Sequence, residues 1–156
     1  MSAPELRKAS IVNVEFGEGV VVVEPVNIYG CSIGDKTFVG PFVEIQKSVT
    51  IGARCRVQSH AFICELVTIG DDCFIGHGVM FINDTFATGG PARGRKELWR
   101  STKIGSNVSI GSNATIMPVE ICDGAVIGAG AVVTKDITVP GIYAGNPARL
   151  LRTLPQ

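Results

Sequence analysis

The chain has only two histidines, His60 and His77, and shortly after them a polar pair, Asn83-Asp84. Imidazole exchanges a proton near neutral pH, so both histidines are candidate general bases, His77 first. Asn83 and Asp84 add a carboxamide and a carboxylate that can hold or orient an acceptor. Lys47 and Glu65 are an oppositely charged pair that reads in two ways, as substrate contacts or as an ordinary exposed ion pair of little energetic weight. Next comes "ATGGPARGRKELWRSTK", with five basic residues (Arg93, Arg95, Lys96, Arg100 and Lys103) against the single acid Glu97. It also holds the only tryptophan, Trp99. Guanidinium groups suit a phosphate, and Leu98-Trp99 gains most by packing on a neighbouring coil or subunit. The other reading is a solvated basic loop anchored locally by Trp99. These residue types suit proton transfer beside an anionic substrate.

A repeat positions them. With Ile33 at position one of a hexad, that position also holds Val39, Ile45, Ile51, Val57, Ile63, Ile69, Ile75 and Phe81. Position five holds Thr37, Val43, Val49, Cys55, Ala61, Val67, Cys73, Val79 and Thr85, all small or β-branched. Glycine stands at position two at 34, 40, 52, 70 and 76, and the expectation is that it turns corners. The pattern resumes at Ile104, Ile110 and Ile116, loses one residue at "IMPVE", and continues at Ile121, Ile127, Val133 and Val139. Position five, position six and the next position one read apolar-polar-apolar, a short strand with one face inward. A six-residue beat smears around a 3.6-residue helix, so a coiled stack of short strands is expected. Before Ile33 the pattern weakens: Val21 fits, and Asn27 falls on an inward place.

Three hexads per coil put residues 18 apart on one corner, in coils about 4.8 Å apart. Lys47, Glu65 and Asn83 then form one column, and Ser48, Leu66 and Asp84 the next. His60 and His77 share a different corner. Cys31, Cys55 and Cys73 point inward as small hydrophobes, whereas Cys64 and Cys122 are expected to face outward. The interruption, about residues 87–103, is a loop extruded from one corner.

The runs "IGDKTFVGPFVEIQKSVTIGARCRV", "IGSNVSIGSNATIMP", "IGAGAVVTKDI" and "AGNPARLLR" resemble the hexapeptide-repeat acyltransferases over roughly residues 20 to 152. The resemblance implies an all-β fold, a left-handed parallel β-helix with three sides per coil, in a single domain spanning 1–156. It also implies a homotrimer and acetyl-CoA as co-substrate. The ending "GAGAVVTKDI...VPGIYAGNPARLLR" is similar to members that use acetyl-CoA. It implies a pantetheine arm along the backbone at Gly128, Ala129 and Ala131, phosphates near Lys135, Arg149 and Arg152, and Asn146 among the cofactor-binding residues. The stretch "QSHAFICELVTIGDDCFIGHGVMFIND" is most similar to the branch that acetylates nucleotide-linked amino sugars for surface polysaccharide such as lipopolysaccharide. There an asparagine before the loop orients the acceptor, a role carried to Asn83. The loop is expected to help build a site between subunits, with Arg93, Arg95, Trp99, Glu65 and Lys47 contacting substrate. Sugar acetyltransferases of the maltose type carry a histidine where this chain has "IND", so simple histidine transfer is in doubt. The tail from about 145 to 156 should turn at Gly145-Asn146-Pro147 and fray at "RTLPQ".

The totals narrow the alternatives. A formal net charge of zero disfavours a nucleic-acid partner. No run is long enough for a membrane helix, and "MSAPELRKAS" lacks the apolar core of a signal peptide. Five cysteines without zinc spacing suit a reducing cytoplasm. The competing functions are O-acetyl transfer to a small sugar, a zinc lyase of the γ-carbonic-anhydrase sort, and a silent scaffold. The lyase needs three histidines around a metal, one more than the chain has, and no metal is expected.

Overall fold

The computed structural model describes residues 3–154. The strands are short, mostly two residues, because each side of the coil holds only two inward positions and the outward one between them before it must bend. They stack into three sheets of seven, six and eight strands, here called faces A, B and C, visited in that order on every turn. All pairings between coils are parallel, and the three faces wind into the expected left-handed β-helix. Ile33, Ile51, Ile69, Ile104 and Ile121 stack in register on face B. Val39, Val57, Ile75, Ile110 and Ile127 do so on face C. These side chains fill the core, each at most 2% exposed.

Two residue types close the corners, for different reasons. At position four the backbone is left-handed even in large residues: φ is 61° at Phe42, 56° at Arg54, 64° at His60 and 72° at Leu66. That conformation costs a non-glycine residue roughly 1–2 kcal/mol, offset by the coil-to-coil bonds it permits. Position-two glycines do something else. A Cβ at Gly34 would fall 2.6 Å from the Gly52 carbonyl carbon, and one at Gly70 2.8 Å from that of Gly105. They allow close stacking and do not make the turn, which corrects the role expected for them.

The register of the first and last coils also departs from a strict hexad. Ile28, not Asn27, is the inward residue paired with Ile45, and Asn27 is half-buried. Val22 rather than Val21 lies opposite Val39, and Val21 is exposed. The cause is a side of five residues, Ile28 to Ile33, where six were counted. At the other end Ile137 takes the inward place opposite Ile121, and Val139 is exposed. Thr85 is exposed, because the chain has already left the coil there.

Thr37, Cys55 and Cys73 stack inside one corner as more than apolar filler. Thr37 Oγ1 donates to Gly52 O at 2.9 Å and accepts from Cys55 N at 3.0 Å. Cys55 Sγ donates to Gly70 O at 3.1 Å and accepts from Cys73 N at 3.4 Å. These side chains satisfy amides that the bend takes away from the ladder. The hydrogen bond to Cys55, and then burial, push the Cys73 thiol far above its ordinary range. Cys64 is buried, contrary to expectation, at 2% exposure. It occupies position two, which faces the next coil, and burial pushes its thiol up to about 12. The terminal segment does not fray through residue 153: Arg149–Thr153 returns antiparallel to Gly141–Ala144. Pro155 and Gln156 lie outside the described residues.

Candidate functional site

One corner holds the variation in the coil. From face B to C and from C to A, successive inward residues are six apart in every coil, as in Ile69 to Ile75 to Phe81. From face A to B the spacing is five (Ile28 to Ile33), six (Ile45 to Ile51, Ile63 to Ile69), 23 (Phe81 to Ile104), five (Ile116 to Ile121) and four (Val133 to Ile137). Every irregularity therefore lies on the A–B corner, the corner of Lys47, Glu65 and Asn83.

The loop leaves and returns through defined contacts. Asn83 Nδ2 donates to Glu65 O at 3.3 Å, and Asn83 O accepts from Arg100 N at 2.9 Å, closing the loop's neck. Asp84 accepts from Phe86 N at 3.0 Å and from Ala92 N at 2.6 Å, one bond on each oxygen. This carboxylate is thus engaged in folding the loop. Inside it, one 3-10 turn, Lys96–Leu98, aims Lys96 back at the coil. Lys96 Nζ donates to both Glu65 oxygens, at 2.8 and 3.1 Å, and lies 5.1 Å from the centre of the Trp99 ring. Glu65 is accordingly paired with Lys96, and the ion pair considered between Lys47 and Glu65 does not form. Lys47 sits beside Lys96, whose ammonium holds it below the ordinary lysine range, whereas Glu65 holds Lys96 above it. Burial, then Glu44 and Glu65, raise the nearby Tyr29 phenol. Leu98 and Trp99 are half-buried, and Arg93 and Arg95 are exposed. Arg95 Nε donates to Ala92 O at 3.3 Å.

The histidines share one corner on adjacent coils, as the period requires: Gly78 N donates to Ser59 O at 3.0 Å and Asn113 N to His77 O at 2.8 Å. Both are exposed, and His60 stacks on Phe42 with ring centres 4.9 Å apart and planes 16° apart. This is the C–A corner. Asn83 lies at the far end of face A, six residues on, or roughly 20 Å at about 3.3 Å per residue. Within one chain the histidines and Asn83 do not form a common site.

Ala129 and Gly130 continue the histidine corner into the last coils. The amides of Gly128, Gly130 and Ala131 already donate within the stack, to Tyr143 O, Ser112 O and Gly128 O. Ala131 is buried and Ala129 exposed. Lys135 and Arg149 line one surface cleft of about 340 Å³ with Thr134, Tyr143 and Ala148. Asn146 lies in the turn 145–148, which docks on the coil through Val132 N to Gly145 O and Ala148 N to Val132 O. Arg152 is an exposed residue of the terminal strand. A larger cleft of about 560 Å³ on face B, lined by Lys103, Glu120, Cys122, Asp123 and Asp136, includes none of the predicted site residues.

Sequence reasoning missed two partners. Phe42 stands 18 residues before His60, so the period could have found it. Lys96 was visible only as one of five basic loop residues, with nothing in the spacing to single it out.

Two family descriptions match: the hexapeptide repeat of succinyl-transferase over residues 66–80 and 101–135, and the bacterial transferase hexapeptide over residues 30–65. Together they cover more than half of the chain. A bifunctional protein GlmU from Streptococcus uberis is 32% identical over 152 residues, 91% of this chain and 32% of that protein. The chain spans between about a fifth and a third of the length of the curated relatives it matches. Among solved structures, a hexapeptide-repeat acetyltransferase from Vibrio cholerae, complexed with acetyl coenzyme A, superposes with a TM-score of 0.68 at 27% identity, covering 81% of this chain and 72% of that one. A variant of AntD, an N-acyltransferase from Bacillus cereus in complex with dTDP and coenzyme A, superposes with a TM-score of 0.79 at 22% identity, covering 89% and 83%. With the repeat, the coil register and these matches in agreement, the chain belongs to the hexapeptide-repeat acyltransferase superfamily.

Proposed function

We propose that the protein transfers an acetyl group from acetyl-CoA to the amino group of a nucleotide-linked amino sugar, as a homotrimer. The observation that carries this reading is the A–B corner, where Asn83, Glu65, Lys96 and Trp99 are assembled by the loop of residues 87–103 that interrupts the coil. Support for the donor comes from the Vibrio cholerae acetyltransferase, which binds acetyl coenzyme A. AntD holds dTDP and coenzyme A on the same fold. Lys135, Arg149 and the exposed Ala129 are the groups here that would meet the cofactor.

The outward residues support the assembly. The outward residues of faces A and C include Phe62, Met80, Phe38 and Phe74 among polar neighbours such as Glu44, Thr115, Arg56 and Ser109, whereas face B carries Ser32, Thr50, Thr68, Lys103 and Glu120. Face A of one copy packed on face C of the next gives a closed ring of three. The histidine corner then turns toward the axis, and the loop corner lies at the outer mouth of the cleft between copies.

Chemically, the acceptor enters as an ammonium, loses one proton and attacks the thioester carbonyl. A C–N bond forms, the C–S bond breaks, and the thiol leaves protonated. Asn83 positions the amine. The histidine corner is too distant to remove its proton within one chain, so the released proton goes to solvent or to a neighbouring copy. An ammonium acceptor therefore yields one proton per CoA released, and a hydroxyl acceptor yields none. Thiol release and proton release, measured together in weak buffer across dTDP- and UDP-linked amino sugars, are expected in a one-to-one ratio. Thiol release without protons would establish O-acetylation instead, and no acceptor-dependent thiol release would overturn the reading. No group of three metal-ligating side chains occurs among the described residues, so the lyase alternative gains no support from the geometry.

A further inference from the structure

We propose that Lys96 is a built-in competitor for the acceptor: its ammonium occupies, on Glu65, the seat that the substrate's own amino group takes. This inference rests on the amino-acceptor reading above and deepens it.

Four observations converge. The Glu65 side chain is 13% exposed while that of Lys96 is 50% exposed, so a sheltered carboxylate is covered by a surface cation. An anion so placed needs a cation at all times, which makes replacement of Lys96 by another ammonium easier than simple removal. The seat lies beside Asn83, whose carboxamide bonds the backbone of Glu65 itself. Lys96 belongs to a single 3-10 turn in an exposed stretch, while the loop's neck is fixed independently through Asn83 and Asp84. The turn can therefore lift without disturbing the coil. Finally, Lys47 stands 18 residues before Glu65 on the same corner and beside Lys96, so a second ammonium borders a carboxylate that pairs with one.

An acceptor carrying both an ammonium and phosphates resolves that imbalance. Its ammonium takes Glu65 and displaces Lys96 toward solvent, and its phosphates face Lys47. A hydroxyl in the same position carries no charge and cannot displace Lys96. The exchange thus selects amino over hydroxy acceptors at the binding step.

Opposite signs test it. Glu65→Gln is expected to raise the KM for the amino acceptor by about tenfold or more, the scale of losing one hydrogen bond between charged groups, with the KM for acetyl-CoA unchanged. Lys96→Met is expected to lower the acceptor KM. A mere loop clip predicts that both variants raise it, and that result overturns the proposal. A second arm needs no turnover. In Lys96→Ala, propylammonium chloride should bind saturably and change the fluorescence of Trp99, while 1-propanol should not. Adding Glu65→Gln should abolish the response. Absence of propylammonium binding, or equal binding of propanol, overturns the proposal. Failure of all acetyl transfer would count against the function reading and leave this second arm to decide the inference.

Discussion

The C–A corner and the A–B corner are built from the same repeat and behave in opposite ways. Along the first, inward residues are six apart in every coil, the backbone is left-handed at Phe42, His60 and Asn113, and each residue bonds the one stacked above it. Along the second, the spacing runs from four to 23; the backbone bonds continue, as from Ser48 N to Gly30 O, and side chains add their own, from Asn83 and Lys96 to Glu65. A corner of fixed length supports the stack; a corner of free length presents groups. The histidines, the most reactive side chains by type, sit on the supporting corner.

Substitutions sharpen that contrast. The largest effect is expected from Gly76→Val on the first corner, since even a Cβ at this position falls 2.7 Å from Ile110 O and from Ser112 N. The loss should be about 3 kcal/mol or more, read as a lower denaturant midpoint. Asn83→Ala, on the variable corner, should leave that midpoint near wild type and lower kcat/KM for the acceptor about a hundredfold, the scale of a misplaced reactant. Asp84→Ala removes acceptors from two loop amides and should lower kcat/KM by about tenfold, equivalent to one net hydrogen bond. Faster amide exchange at Phe86 and Ala92 would report the cause. His77→Ala is expected to keep the rate within about threefold; a drop of a hundredfold would instead show that the histidine corner of another copy reaches the acceptor.

The smallest effect concerns acid. Arg54 donates to both Asp72 oxygens at 2.7 Å and holds that carboxyl below its ordinary range. A depressed folded-state value stabilises above the unfolded carboxylate pKa and loses its contribution as pH falls through the folded value. Arg54→Met should therefore reduce the fall in stability on the acid side of about pH 4, and urea midpoints across that range would measure it. Both side chains are largely exposed, so the change is small.

The coil was legible in the sequence because burial imposes a period that isoleucine and valine columns carry openly. Registers at the ends were not: a side shortened between Ile28 and Ile33 moves Asn27 and Val21 off the inward track without altering local composition. Cys64 was misjudged because position two reads as outward until one sees that the next coil covers it. At the site, the columns placed Glu65 under Asn83 correctly, since coil stacking fixes both. They could not pair Glu65 with Lys96, because the path of a 17-residue excursion follows from its own contacts, such as those of Asp84, and not from the repeat.

The free corner has a meaning for descent and for engineering. Phe81 and Ile104 find their partners in the next coil with an entire loop between them, as Ile63 and Ile69 do with five residues between. The register of the next coil survives an excursion of that length, so a foreign segment grafted between Asn83 and Thr102 is expected to find the same frame, and new specificities can arise there one excursion at a time.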